Sequence, residues 1–293
     1  MKVGFVGLGR MGQGMAGRVL GDGHELRVYD PMPGQTDELA AKGAAVADSP
    51  ADASAGCDVI ITMLPSDAIL DAVLTGDGGL IDGLHAGCLH MAMGTHGVPA
   101  INRAGELHED AGQTFMACPV LGRPDLAATG KLTLVPGGPE AAVEKVRPLL
   151  EVIGQRHIQV SDPQAAAAVK IANNFVLGCA IETMGEAFSL VEKLGVEPAQ
   201  FLDVMLQGLF GAPAYEVYGQ MIVKKTWETG GATAVIGLKD ADLALEAAET
   251  ADMPLPSAHI WRDYLATAVD RGEGHLDWAV MALQQARAAG LED

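Results

Sequence analysis

Gly7, Gly9 and Gly12 stand at G-x-G-x-x-G spacing in the apolar opening "MKVGFVGLGRMGQGMAGRVL", and an acid, Asp30, closes the next strand-like run, "ELRVYD". Glycine-rich turns are common, so G-x-G-x-x-G alone is a weak signal. Here the motif follows a strand-like run, Met1 to Val6, and opens a helix-like one, Met11 to Leu20, with Met11, Met15 and Val19 on one face. Asp30 follows Gly12 by 18 residues, which is the context of a dinucleotide site. In that reading Gly7 permits a tight turn, Gly9 lets backbone approach a pyrophosphate, and Gly12 lets helix pack close to strand. The N–H groups of the first helical turn then meet the anion. Leu8, Arg10 and Met11 complete the loop. Asp30 is placed to accept hydrogen bonds from the adenosine ribose hydroxyls and to repel a 2'-phosphate, and Pro31, Met32 and Pro33 offer no cation. NAD is therefore the expected cofactor, with NADP left open by Arg10 in the loop. The plainer alternative is that Asp30 only starts a turn.

A second pair that could do chemistry is Lys170 and Asn174. Four residues apart on a helix, they project from one face and can share a task. Without further context, a helical lysine more often runs its stem along the surface to solvent.

The elements that must position these residues follow from the pattern. "ELRVYD" and "CDVIITMLP" read as further strands, separated by Ala-rich helical stretches, and strands alternating with helices imply a parallel sheet. "GQTFMACPV" and "KLTLVPGG" add extended runs, a helix is expected from Pro139 to Ile153, and strand signals fade after "QRHIQV". From about Gln164 to Gly195 no proline intervenes, which predicts one long, mostly buried helix about 45 Å in length. "VSDPQ", at Val160 to Gln164, is the expected break. The expected fold is thus an α/β, Rossmann-type, doubly wound parallel sheet over 1–162, then an all-helical domain over 163–293, joined by the long interdomain helix.

Composition excludes some function classes. A net charge of −19 argues against a nucleic-acid or anionic-membrane partner. No unbroken apolar run reaches the roughly 18 to 20 residues that span a bilayer. Cys57, Cys88, Cys118 and Cys179 lie far apart with no C-x-x-C spacing and no secretory signal ahead of the first strand, so a reduced, cytoplasmic protein is expected. None of the eight histidines shows a ligand spacing, and no metal is expected.

The opening segment, "GLGRMGQGMAGRVLGDGHELRVYDPMP", resembles that of the β-hydroxyacid dehydrogenases. This group contains 3-hydroxyisobutyrate dehydrogenase, glyoxylate and succinic semialdehyde reductases and, more distantly, 6-phosphogluconate dehydrogenase. "VIITMLPSD", "MGT" at Met93 to Thr95, "CPVLGRPDLAATGKLTLVPGG", "VKIANN" and "LKDADLAL" continue the resemblance in order over most of the chain. It implies that Leu64, Pro65 and Thr95 lie against the cofactor and that Lys239 closes over cofactor and substrate. It also implies that Lys170 is the proton carrier, that Asn174 orients the substrate hydroxyl and that Asn173 faces the substrate. An apolar surround, expected here from Ala166, Ala167, Ile171 and Val176, disfavours the ammonium form and suits a lysine to proton exchange. The implied partners are a small-molecule substrate and a second copy of the chain, as a homodimer or homotetramer.

Departures from the family pattern fall on the substrate segment. Leu121, Gly122 and Arg123 stand where the family has Ser-Gly-Gly, Ala117 replaces the usual acid before it, and Gly94 replaces the serine of Met-Ser-Thr. Arg123 is either a bidentate carboxylate grip or a surface charge. Lys239 either closes over the site or forms a solvated pair with Asp240. Phe210, Tyr215, Tyr218 and Trp227 either line a pocket or belong to core or subunit interface. The function expected is hydride transfer between nicotinamide and a small β-hydroxyacid or its aldehyde or keto acid partner. Imine reduction on the same architecture and a non-catalytic NAD(P)-binding sensor are the alternatives; Lys170 argues against the first, and Lys170 with Asn174 against the second.

Overall fold

In the computed structural model, which describes residues 1–228 and 230–292, the first half of the chain forms a six-stranded parallel sheet. Its strands are β1 (Lys2–Val6), β2 (Glu25–Tyr29), β3 (Ala45–Val46), β4 (Val59–Thr62), β5 (Leu89–Ala92) and β6 (Thr114–Ala117), in the order β3-β2-β1-β4-β5-β6. The order reverses between β1 and β4, and such a switch point opens a crevice at the carboxyl ends of the strands. Helices α1 (Arg10–Gly21), α2 (Asp37–Ala41), α3 (Pro50–Ser54), α4 (Asp67–Thr75), α5 (Leu80–Gly83) and α6 (Val98–Asp110) connect them. Successive strand residues face opposite sides. Phe5, Ile61 and Met91 enter one core cluster while Val6, Ile60 and Ala92 enter the other. Burial on both faces explains why β1 and β4 read as continuous apolar runs.

Two strands and a helix predicted late in this half do not extend the main sheet. β7 (Val120–Leu121), β8 (Leu132–Leu134) and β9 (Gly154–His157) form a separate three-stranded sheet, antiparallel between β7 and β8 and parallel between β8 and β9, with α7 (Pro124–Ala128) and α8 (Glu140–Ile153) inserted. The sequence reading also passes over β5. Its residues, Leu-His-Met-Ala, include no β-branched side chain to mark a strand.

The remaining helices are α9 (Pro163–Lys193), α10 (Pro198–Gln207), α11 (Pro213–Lys224), α12 (Ala234–Thr250), α13 (Pro256–Asp270) and α14 (Val280–Ala288). The chain divides into two compact units, Met1–Lys170 and Ile171–Asp293, later than the break expected at Val160 to Gln164. The reason is local: Ala166 and Ala167, on the first turns of α9, pack into the core of the first unit. Farther along α9, Ile181, Met184 and Phe188 join Trp261 and Trp278 in the core of the second.

The expectation that α9 is mostly buried is corrected: Val169, Val176 and Leu190 are exposed. Although no unbroken apolar run spans a bilayer, α9 as a whole is long and apolar enough to do so by length and composition. Its apolar residues at 181, 184 and 188 are accounted for by the core they fill. All four cysteines are free; burial pushes the Cys88 thiol up to about 12 and raises Cys118 as well, so neither is a thiolate near neutral pH.

A chain of polar side chains crosses the first unit beside Phe115. Gln113 Oε1 meets His108 Nδ1 at 2.7 Å, His108 Nε2 meets His90 Nδ1 at 2.8 Å, and His90 Nε2 meets Thr62 Oγ1 at 2.9 Å. The Gln113 amide donates in turn to the carbonyls of Ile81 and Leu84, which fixes its oxygen toward His108. Only one proton assignment satisfies this chain: each histidine donates from Nδ1 and accepts at Nε2. Burial lowers both histidines from the usual 6.5, and His108 lowers His90 further. Both are neutral in the folded chain but charge in the unfolded chain as pH falls below 6.5, so stability is full above that pH and is lost below it. We therefore expect these two histidines to lower the urea midpoint between pH 7.5 and 5.5, against the opposite contribution of Glu182, whose carboxyl burial raises to about 7. The pH slope should flatten in a His90→Leu/His108→Leu variant, whatever that variant's absolute stability; an unchanged slope would remove these histidines as its source.

Candidate cofactor and active site

The turn from β1 into α1 is closed from several directions. Gly7 has φ of +94° and donates its N–H to Tyr29 O at 3.0 Å. A Cβ on Gly7 would stand 2.4 Å from Met63 O, and one on Gly12 would stand 2.0 Å from Gly7 O. Gly14, which the sequence reading did not single out, is held by the backbone of α7: a Cβ there would meet Ala128 N at 2.8 Å. Gly9 differs. It is the N-cap of α1, no side chain caps the helix, and a Cβ there would meet nothing within 4 Å. Two of the glycines in the motif are thus required by the protein itself, while Gly9 borders open space in front of a helix N-terminus. That cradle fits the pyrophosphate of a dinucleotide.

Asp30 links this loop to the end of β2. Its Oδ2 accepts from Leu8 N at 2.7 Å and its Oδ1 from Met32 N at 2.9 Å. Asp30 does start a turn, as the plainer reading held, and it also fixes the glycine loop. Each carboxylate oxygen keeps a second lone pair, so capacity for ribose hydroxyls remains. Met11 is half-buried and Arg10 is exposed at the first position of α1; Pro31, Met32 and Pro33 are exposed. At the ends of β4 and β5, Leu64 is buried, Pro65 exposed and Thr95 half-buried.

Leu121, the last residue of β7, is half-buried, and Gly122 adopts φ of +144°, where a Cβ would crowd Leu132 at 2.7 Å. Arg123 precedes α7, is half-buried and has its Nη1 wholly buried, unlike an ordinary surface charge.

On α9, Lys170 is half-buried and Asn174 lies one turn on. Ala166, Ala167 and Ile171 near Lys170 are buried, but Val176 is 64% exposed, so the apolar surround expected of it does not include that residue. Within the second unit the Asn174 amide donates to Asp240 Oδ2 at 2.7 Å, and Lys239 Nζ lies 2.9 Å from Asp240 Oδ1. Asp240 is only 4% exposed, so its pairing with Lys239 is not a solvated one. Sequence reasoning quoted Asp240 only within its motif and gave it no place in the site; its sole signal was adjacency to Lys239. Asn173 lies on the exposed side of α9, its amide 3.4 Å from Asn174 Oδ1. The aromatic group divides: Tyr218 is core and accepts from Trp278 Nε1 at 2.8 Å, Tyr215 and Trp227 pack at its edge, and Phe210 is largely exposed with its ring 5.1 Å from that of Tyr215. Among the described residues, no group of three His, Cys, Asp or Glu could hold a metal ion.

Comparison with known proteins places this geometry. The family model described as the NAD binding domain of 6-phosphogluconate dehydrogenase matches residues 2–162, and that described as NAD-binding of NADP-dependent 3-hydroxyisobutyrate dehydrogenase matches residues 165–284. The chain belongs to the β-hydroxyacid dehydrogenase family. Like its relatives it is a nicotinamide-dependent oxidoreductase of the hydroxyacid dehydrogenase type. It is 38% identical to an oxidoreductase of Bacillus subtilis (YfjR) over 282 residues, covering 96% of this chain and 98% of the relative. It is 32% identical to 2-(hydroxymethyl)glutarate dehydrogenase of Eubacterium barkeri, covering 87% and 85%. Among solved structures it superposes on 3-hydroxyisobutyrate dehydrogenase of Mycobacterium tuberculosis with a TM-score of 0.87 at 28% identity, covering 97% and 98%.

The glycines of this family loop separate into two kinds by test. Gly12→Ala should destabilise the chain by at least about 1–3 kcal/mol, because its methyl group meets fixed backbone. Gly9→Ala should cost no more than about 1 kcal/mol while sharply weakening NADH binding. Thermal unfolding and fluorescence titration read the two effects, and a Gly9→Ala protein that binds NADH like wild type would remove Gly9 from the cradle.

Proposed function

We propose that the chain is an NAD-preferring dehydrogenase that acts on a small β-hydroxyacid or its aldehyde or keto acid partner, with Lys170 as general acid and base. The observation that carries this reading is the pairing of Lys170 and Asn174 on successive turns of α9, with Asn174 tied to buried Asp240. The cofactor supplies the hydride acceptor or donor when bound. Lys170 Nζ gives a proton to the carbonyl oxygen in reduction and takes it from the hydroxyl in oxidation. Asn174 has two amide hydrogens and uses one on Asp240, which leaves the other for the substrate oxygen. Asp240, through its contact with Lys239, holds a second cation beside that amide.

The preference for NAD rests on Asp30, whose carboxylate closes β2 and repels a 2'-phosphate, with no Lys or Arg at residues 31–33. Substrate choice rests on Leu121, Gly122 and Arg123, and the buried Nη1 of Arg123 supports a carboxylate grip. Exposed Val176, Leu190 and Val204 in the second unit support association of copies as a homodimer or homotetramer.

A cofactor-oxidation screen with NADH and NADPH tests the reading over glyoxylate, succinic semialdehyde, methylmalonate semialdehyde, larger keto acids and cyclic imines. Lys170→Ala should lower turnover on the best substrate by about 100- to 10,000-fold, the usual contribution of a positioned acid or base, with NADH affinity nearly intact. Full activity in that variant removes the lysine from the mechanism. Arg123→Ala should lose roughly 2 to 5 kcal/mol of substrate affinity, and Arg123→Lys should recover only part of it, since an ammonium cannot meet both carboxylate oxygens. An unaltered Michaelis constant in the alanine variant would redirect the substrate reading to uncharged carbonyls.

A further inference from the structure

Asp67 and His96 have no part in the roles assigned above. Ser66 caps α4, and Asp67 is its first residue. Asp67 Oδ1 lies 2.9 Å from His96 Nδ1, and the two carboxylate oxygens accept from Gly97 N at 3.2 and 3.1 Å. Gly97 is the N-cap of α6. One carboxylate therefore joins the loop after β4 to the loop after β5. A carboxylate at Nδ1 keeps the proton on that nitrogen and leaves Nε2 as the acceptor. The His96 side chain is wholly buried, and Nε2 has no hydrogen-bond partner among the described residues.

The ring also explains a departure noted in the sequence. The point where a Cβ on Gly94 would stand lies 2.4 Å from His96 Nε2 and 2.6 Å from Leu64 O. The imidazole and the Leu64 carbonyl together fill the volume that a side chain at position 94 needs, and glycine at 94 accommodates both. Thr95 sits between Gly94 and His96.

The direction of the cofactor follows from the sheet. With the pyrophosphate in front of α1 and the adenosine ribose at Asp30 beyond β2, the other half of the dinucleotide runs the opposite way along the carboxyl edge. That path passes the ends of β4 and β5. We propose that His96 is a positioning residue for the nicotinamide half of the cofactor: anchored by Asp67, it stands in for a side chain at position 94 and fixes the 93–97 loop beneath that half. A loop ordered before the ligand arrives does not charge its ordering to binding. The inference rests on the placement of adenosine at Asp30.

The test compares NADH with ADP-ribose, which lacks the nicotinamide, by fluorescence and calorimetric titration. His96→Ala should weaken NADH by about tenfold or more, as for loss of a hydrogen bond to a charged group, and should leave ADP-ribose within about twofold of wild type. His96→Asn, whose amide N–H can reach Asp67, should recover most of the loss. Gly94→Ser should weaken NADH while His96 is present and regain only part of the loss when combined with His96→Ala, because the Leu64 carbonyl still stands 2.6 Å from the new Cβ. Equal losses for NADH and ADP-ribose in His96→Ala, or no loss of either, would overturn the proposal. ADP-ribose binding untouched by Asp30→Ala would overturn the adenosine placement instead, and the direction argument with it.

Discussion

Helix α1 begins so close to the end of β1 that one methyl group on residue 12 would overlap the carbonyl of residue 7. Much of the first unit is arranged around that approach. β4 backs the turn through Met63, whose carbonyl leaves Gly7 no space for a side chain, and β2 holds it through Asp30 and the amide of Leu8. α7 seats against the next turn of α1 at Gly14. The first N–H groups of α1 are consequently aimed before any anion reaches them, which is what makes a helix N-terminus an effective phosphate site.

Buried and half-buried polar groups do the corresponding work elsewhere, and they do it in fixed patterns. His90 and His108 are locked by Thr62 and Gln113 into one proton assignment. Asp67 spends its carboxylate on an imidazole and a backbone amide from the adjacent loop. Asp240 divides its two oxygens between Asn174 and Lys239. A buried carboxylate with partners on both oxygens avoids the cost of an uncompensated charge, and its geometry is then set by those partners.

What was legible in the sequence is what depends on near neighbours along the chain. The glycine loop and Asp30 fall within thirty residues, and α9 shows itself by a long stretch with no internal proline and only two glycines. The pairing of Lys170 with Asn174 needs only the helical repeat. What stayed hidden depends on distant partners or on local context that overrides propensity. Asp240 reaches Asn174 across 66 residues, and His96 reaches Asp67 across 29. β5 lacks branched side chains and is a strand because it is flanked by β4 and β6. Val176 has an apolar side chain yet is exposed, since in a helix whose apolar residues nearly encircle it the sequence does not say which face the core will take.

Because Asp240 serves Asn174 on one helix and Lys239 on another, these three positions form a single unit of inheritance. A replacement at any one of them leaves a buried partner unsatisfied, so its effect depends on the state of the other two and will not add to theirs. The 121–123 segment is constrained differently: Gly122 is held by its positive φ and by Leu132, while Leu121 and Arg123 on either side carry no such backbone restriction. A lineage descending from such a chain can therefore vary Leu121 and Arg123 by single steps, while Asn174, Lys239 and Asp240 are passed on together.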